Sequence, residues 1–337
     1  MKKFLATAIA LTIGAAACVF TACAGENDDG TYTVYAPDGA PALALANAVN
    51  EDDDRYDFRI VASNAITAQV QGEEPAADFC ILPVNAAAKL LGKGETYQML
   101  GTVTNGNMYL LTTGGNPEIT ADNLSSLVGK TVGVVQLNNV PGLTFQAVLS
   151  RNDIDYQILG NDVEAASDKV NLQAFADAST VTPASGCGYY LCPEPAATGK
   201  INGTASSANP FKLAGSLQTL YDGENGYPQA VLVAKTSVIE EAKSVVDTFI
   251  TYMEGSADFL ASTSAADVVA LLEDCYTEGM TPSLNANNLN ATVIANCSVY
   301  FTAAQDCKSR VNAFLAELID LNAEFTSAVS DSFYYAG

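Results

Sequence analysis

The stretch VYAPDGAPALALANAV, residues 34–49, changes its period halfway along. Up to Ala36 it completes an apolar run from Tyr32 that suits a buried strand. Asp38-Gly39-Ala40-Pro41 then breaks the chain direction, and Pro41 to Val49 continues with apolar residues at helical spacing. Strand, tight loop and helix in that order form the first half of a βαβ unit, and the same order recurs downstream. Strand-like segments are Tyr32 to Ala36, Phe58 to Ala62, Asp78 to Leu82, Thr131 to Val135 and Tyr156 to Leu159. Helix-like segments alternate with them: Pro41 to Val49, Ala65 to Gln71, Val84 to Leu91, Leu143 to Asn152 and Glu164 to Ala176. The alternation predicts an α/β fold with mostly parallel sheets flanked by helices on both faces.

Two longer stretches divide the chain. Tyr97 to Thr113 is too long for one strand and is interrupted by Asn105-Gly106-Asn107. Phe211 to Ala234 is interrupted by Asp222-Gly223-Glu224-Asn225-Gly226-Tyr227-Pro228. Between the interruptions lies a self-contained run of strand and helix signals, as expected of a second lobe inserted into the first through two hinge crossings. The expected layout is a first lobe over 31–108, a second over 109–222, and a return to the first over 223–337. Past Thr236 the pattern is helical through Val238 to Glu254, Ala265 to Tyr276 and Ala303 to Phe325. In the last segment Val311, Phe314, Leu315, Leu318 and Leu321 recur at helical spacing, which suits a core face.

The N-terminus carries an address. Lys2-Lys3, an apolar run from Phe4 to Val19, and Phe20-Thr21-Ala22-Cys23 followed by the polar Ala24-Gly25-Glu26-Asn27-Asp28-Asp29 read as an export signal, with a short acidic tether over 23–30. The small pair Thr21-Ala22 before Cys23 resembles the lipobox of lipid-modified proteins, although Phe20 replaces the usual leucine. Cys18, after three alanines, is a competing cleavage site. Cleavage before Cys23 removes residues 1–22 and makes Cys23 the lipid-bearing N-terminus, anchoring the chain to the outer face of a bacterial cell membrane. It also removes Lys2 and Lys3, so the formal charge goes from −23 to −25 over the remaining 315 residues.

That charge makes nucleic acid a poor partner. The chain has no histidine. This rules out serine or cysteine catalysis driven by an imidazole base and removes the commonest transition-metal ligand. Neither a Gly-rich phosphate loop nor a calcium loop is present. No cofactor, metal site or catalytic residue is expected. With Cys18 and Cys23 set aside, six cysteines remain. Cys187 with Cys192, and two of Cys275, Cys297 and Cys307, are plausible disulfides in an oxidising compartment, whereas Cys80 sits in an apolar run that suits burial.

Several segments together resemble the periplasmic-type substrate-binding proteins of ABC importers, in the branch of sulfonate, nitrate and thiamine-precursor binders. They are residues 34–49; ADFCILPVNAAAKLL, 77–91; LVGKTVGVVQLNNVPGLTFQAVL, 127–149; GYYLCPEPAATGKI, 188–201; GYPQAVLVAKTSVIEEA, 226–242; and the tail SDSFYYAG. One departure is that residues 180–186, TVTPASG, lack the acidic residue often found before the family's Glu-Pro strand. The resemblance implies a two-lobed type 2 binding fold and the capture of a small molecule, passed on to a permease and its ATPase. A monomer is expected. A lipid-anchored sensor or adhesion protein on the same fold is the alternative. Enzymes of the menaquinone pathway share the scaffold, but they are cytoplasmic and this chain carries an export signal. The pyrimidine-synthesising relatives consume a histidine that is absent here.

In such lobes ligands sit beyond the carboxyl ends of the strands. The expected ligand-binding residues are therefore Asp38, Gly39 and Ala40 after the first strand, Asn64 after the second, Pro83 and Asn85 after the third, Asn138 and Asn139 in the second lobe, and Tyr189 and Glu194 near a later strand end. Asp38 and Pro41 serve a helix start equally well, as does Glu194 at a helix N-terminus. At most one of Tyr189 and Tyr190 is expected to face the cleft. Amides, a stacking tyrosine and a glutamate suit a planar heterocycle or vitamin precursor better than a bare anion.

Overall fold

A computed structural model describes residues 30–223 and 225–337. The export signal, Cys23 and the acidic tether through Asp29 lie outside the described residues. The strands, in chain order, are β1 Tyr32–Pro37, β2 Tyr56–Val61, β3 Phe79–Pro83, β4 Tyr97–Thr104, β5 Met108–Thr112, β6 Thr131–Val135, β7 Tyr156–Ile158, β8 Val170–Phe175, β9 Tyr189–Pro193, β10 Lys212–Ser216, β11 Ala230–Lys235 and β12 Val299–Ala303.

They form two six-stranded sheets. The first runs β12-β4-β11-β3-β1-β2 and the second β10-β5-β9-β6-β8-β7. Within the first, β1 pairs in parallel with β2 and β3, while β11 runs antiparallel between β3 and β4. In the second, β6 pairs in parallel with β8 and β9, and β5 runs antiparallel between β9 and β10. Each sheet thus has a parallel core, and its interior reversed strand is the one that has just arrived from the other sheet. The chain leaves the first sheet between Thr104 and Met108 and returns between Ser216 and Ala230. Asn105-Gly106-Asn107 is therefore an interlobe crossing; β4 and β5 do not pair as a hairpin.

Central strands are buried on both faces, as helix-covered sheets require: β5 is buried throughout, and so is β3 up to Ile81-Leu82. Asn139 caps the helix Val140–Arg151, with Pro141 in its first turn. Expected helices correspond at Val84–Leu91, Lys243–Glu254, Ala265–Leu272 and Ala304–Asn322. Val311, Phe314, Leu315 and Leu318 are buried in the last of these.

Other expectations are corrected. Glu164 to Ala176 is not a helix; its second half is β8, where Val170 and Leu172 alternate with Asn171 and Gln173 at the strand period. Pro41 to Val49 is broken at Leu45 into Ala40–Ala44 and Ala46–Asn50, and Ala65 to Gln71 tightens into a 3₁₀ turn over Ile66–Val70. All six cysteines in the described residues are free and buried. Cys187 lies two residues before β9 and Cys192 near that strand's far end, and an extended chain holds such positions too far apart for a disulfide. Burial raises both thiols, Cys187 to about 11 and Cys192 to about 12, which keeps them protonated and unreactive.

The two crossings press against each other. Gly226 has φ of 60°, and a β-carbon there would stand 2.1 Å from the Asn105 carbonyl oxygen. Gly226→Ala combines left-handed backbone strain with a clash against main chain, so it is expected to destabilise the fold by about 2–4 kcal/mol. Guanidinium unfolding followed by circular dichroism tests this; a midpoint matching the native chain would refute it.

Candidate functional site

A cavity of about 520 Å³ opens between the lobes, within the range of small-molecule sites. Its walls are the loops beyond the carboxyl ends of strands. β1 supplies Pro37 to Pro41, β3 ends at Pro83, β6 is followed by Gln136 and Asn139 to Pro141, β8 by Asp177 to Ser179, and β9 by Glu194 to Ala196. Asn107, Met108, Gln229 and Ala230 of the crossings complete it, together with Thr281 to Ser283 from the C-terminal third of the chain.

Seven of the twelve prolines line this cavity: Pro37, Pro41, Pro83, Pro141, Pro193, Pro195 and Pro282. A proline ring has no rotamer freedom to lose and no N–H to satisfy, so these walls are apolar and already shaped before a ligand arrives. Polar groups are spaced between them. Gln136 takes φ of 55°, a left-handed conformation uncommon outside glycine, at the cavity lip.

Two of the three acids at the cavity are already engaged. Asp38 Oδ1 accepts from the Tyr276 hydroxyl (3.0 Å) and the Ser283 hydroxyl (2.9 Å), and Oδ2 accepts from the Ser283 N–H (2.8 Å). The carboxylate thereby fastens the 281–283 loop to the end of β1. Burial, and then the Asp38 charge, push the Tyr276 phenol well above its ordinary value, which keeps it a donor. Glu194 is 4% exposed. Its Oε2 accepts from the Thr198 N–H (3.0 Å) and its Oε1 from the Thr198 hydroxyl (2.8 Å), capping the helix Ala196–Thr204. The third acid, Asp177, is exposed and caps the short turn that follows it.

Lys200 is the one cation among the lining residues. It lies one helical turn after Ala196, half-buried, with its Nζ donating to the Val181 carbonyl at 2.6 Å. Burial holds its pKa below the ordinary lysine value. An ammonium has three N–H donors, so one such bond leaves two for an acceptor in the cavity.

The floor is a carboxamide pair. The Asn107 N–H donates to Gln229 Oε1 (3.0 Å), and Gln229 Nε2 donates back to Asn107 Oδ1 (2.6 Å). Asn107 Nδ2 also donates to the Glu194 carbonyl at 2.9 Å. The pair joins the outgoing crossing, the return crossing and the end of β9.

Of the residues expected from sequence, Asp38, Gly39, Ala40, Pro83, Asn139 and Glu194 line the cavity. Four do not. Asn64 and Asn138 are exposed outside it, with Ser63 and Asn139 lining in their places. Asn85 is buried away from it, its Nδ2 donating to the Phe325 carbonyl. Tyr189 and Tyr190 are both fully buried, because β9 is a central strand covered on both faces; their hydroxyls meet the Pro117 carbonyl and the Cys187 N–H. No aromatic residue lines the cavity among the described residues, so the expected stacking platform is absent. Sequence reasoning missed Lys200, Asn107, Gln229 and the Thr281–Ser283 loop. Only Lys200 left a local signal, being four residues after Ala196 on a helix whose start was legible.

No protein-family model and no curated protein matches the sequence. Solved structures do. An ABC transporter structure from Parabacteroides distasonis superposes with a TM-score of 0.68 at 18% identity, over 91% of this chain and 99% of that one. The ligand-binding component of an ABC-type import system from Staphylococcus aureus gives 0.58 at 10%, over 91% and 96%. The periplasmic aliphatic sulphonate binding protein SsuA from Escherichia coli gives 0.59 at 12%, over 91% and 94%. At these identities the likeness is one of fold: the chain has the two-lobed α/β architecture of the binding components of ABC importers.

Proposed function

We propose that this protein captures a small solute between its lobes, without chemistry, and delivers it to an ABC permease and ATPase while tethered to the outer face of the membrane by lipid on Cys23. The observation that carries this reading is the proline-walled cavity at the strand ends, lined also by neutral amides, hydroxyls and one lysine. The export signal and the fold support it. Asp38 and Glu194 are engaged within the protein, which leaves exposed Asp177 as the one acid among the lining residues without a partner beyond its own turn, against the half-buried cation of Lys200. A compact, non-aromatic solute with one acidic group and a hydrogen-bonding body fits best, which displaces the planar heterocycle expected from sequence. The aliphatic sulphonates for which the Escherichia coli protein SsuA is named fall in this class. The chain's negative charge does not prevent it, since surface charges beyond about 8 Å are screened at physiological salt.

A native-state ligand raises the melting temperature by mass action. A thermal-shift screen of residues 23–337 should therefore pick out sulfonates or carboxylates over their neutral amides, and over flavins and vitamins. At a hundredfold excess over Kd, the gain is about 2.7 kcal/mol. A flat response across the panel would overturn the reading.

A further inference from the structure

The helix Ala304–Asn322 buries Val311, Leu315 and Leu318 and packs on β4 and β12 of the first lobe as well as on the helix Val140–Arg151 of the second. Arg310, Phe314 and Glu317, at i, i+4 and i+7, share another face, and that face meets the hinge. Arg310 Nη1 donates to Asn105 Oδ1 on the outgoing crossing (3.0 Å), and its Nη2 donates to the Asn225 carbonyl on the return crossing. The Phe314 ring stacks on Tyr227, centroids 5.9 Å apart, and meets the edge of Tyr221 at 5.6 Å. Glu317 reaches into the second lobe. Arg151 Nη2 donates to Glu317 Oε2 at 2.7 Å, the Tyr221 hydroxyl donates to the same oxygen at 2.7 Å, and the Arg151 guanidinium lies 4.1 Å from the centre of the Tyr221 ring.

Arg151 ends the helix whose other end, Asn139 to Pro141, lines the cavity. Its twelve residues make a rod about 18 Å long. A rotation of the second lobe that widens or narrows the cleft moves this whole rod, so it also moves Arg151 against Glu317. We propose that Arg310, Phe314 and Glu317 form a brace that sets the angle between the lobes, with the Arg151–Glu317 pair as its charged contact to the second lobe beside the Tyr221 ring and hydroxyl. The cleft is then held partly from its far side, by residues that touch no ligand. This needs no ligand identity and stands apart from the capture reading.

Nitroxide labels on Glu95→Cys in the first lobe and Asp162→Cys in the second, both exposed in a chain whose other described cysteines are buried, report the interlobe distance in the full, ligand-free chain. The native chain should give one narrow distribution. Arg151→Glu and Glu317→Arg should each add a population at other distances, and the charge-swapped double variant should restore the native one. The native chain in about 1 M salt, where the screening length falls to about 3 Å, should shift as the single variants do. Labels on Glu73→Cys and Glu95→Cys, both in the first lobe, should keep their distance throughout. Unchanged interlobe distances in the single variants, a double variant no closer to native than either single, or an equal change within the first lobe would each overturn the brace.

Discussion

Phe249→Ala is expected to lower the stability of the chain by about 3–5 kcal/mol, the range for deleting a fully buried aromatic. The helix Lys243–Glu254 turns Val245, Val246, Phe249 and Met253 onto the first sheet. Phe249 is at its centre, with no exposed surface and ring centroids 4.7 Å from Phe79 and 5.1 Å from Tyr56. Tyr56 in turn donates its hydroxyl to the Val245 carbonyl at 2.7 Å. Removing the Phe249 ring therefore leaves a void walled by strands β2 and β3, and neither can relax without breaking its parallel pairing to β1. Part of the loss is specific to ring–ring contacts, each worth about 0.5–1.5 kcal/mol beyond area. Phe249→Leu, which refills most of the volume, should recover more than half. Guanidinium unfolding read by circular dichroism measures both, because the chain has no tryptophan to follow by fluorescence. An alanine variant within about 1 kcal/mol of native would mean that the sheet does not depend on this contact.

The alternation of strand and helix signals was legible because buried parallel strands are short continuous apolar runs set off by loop residues. β8 was misread because Ala165-Ala166 ahead of it mimic a helix start, while the pairing that makes it an interior strand comes from β7 on one side and from β6, more than thirty residues earlier, on the other. Half of the candidate site was legible for a related reason. Asp38 and Gly39 follow β1, Pro83 ends β3 and Asn139 closes the short loop after β6, and the fold sends strand ends to the cleft. Asn107 and Gln229 were not legible as a pair, since 122 residues separate them and only the two crossings bring them together. The Asp38 partners come from still further away, Tyr276 and Ser283. Tyr189 shows the limit of adjacency: it starts the same strand whose far end reaches the cavity, and it is buried at the other end of that strand.

Lys200→Met should weaken binding of the best acidic ligand from the thermal-shift panel about 100-fold, as loss of one partner from a desolvated charge pair does. Methionine keeps most of the volume and apolar reach of the lysine stem but cannot donate. Lys200 also ties its helix to the Val181 carbonyl, so weakened binding alone could come from a displaced helix. Three measurements separate the roles. The neutral amide analogue of the ligand should bind Lys200→Met and the native chain equally, because it never used the charge. Lys200→Arg, which keeps the charge but spreads it over a planar fork, should recover part of the affinity for the acid. The pH profile supplies the third. Burial depresses the lysine pKa, so the charged form is lost, and acid binding with it, as pH rises through a value below that of an ordinary lysine, while the amide analogue stays flat over the same range. An acid that binds Lys200→Met as tightly as the native chain would remove Lys200 from recognition and leave the amides and hydroxyls to hold a neutral solute.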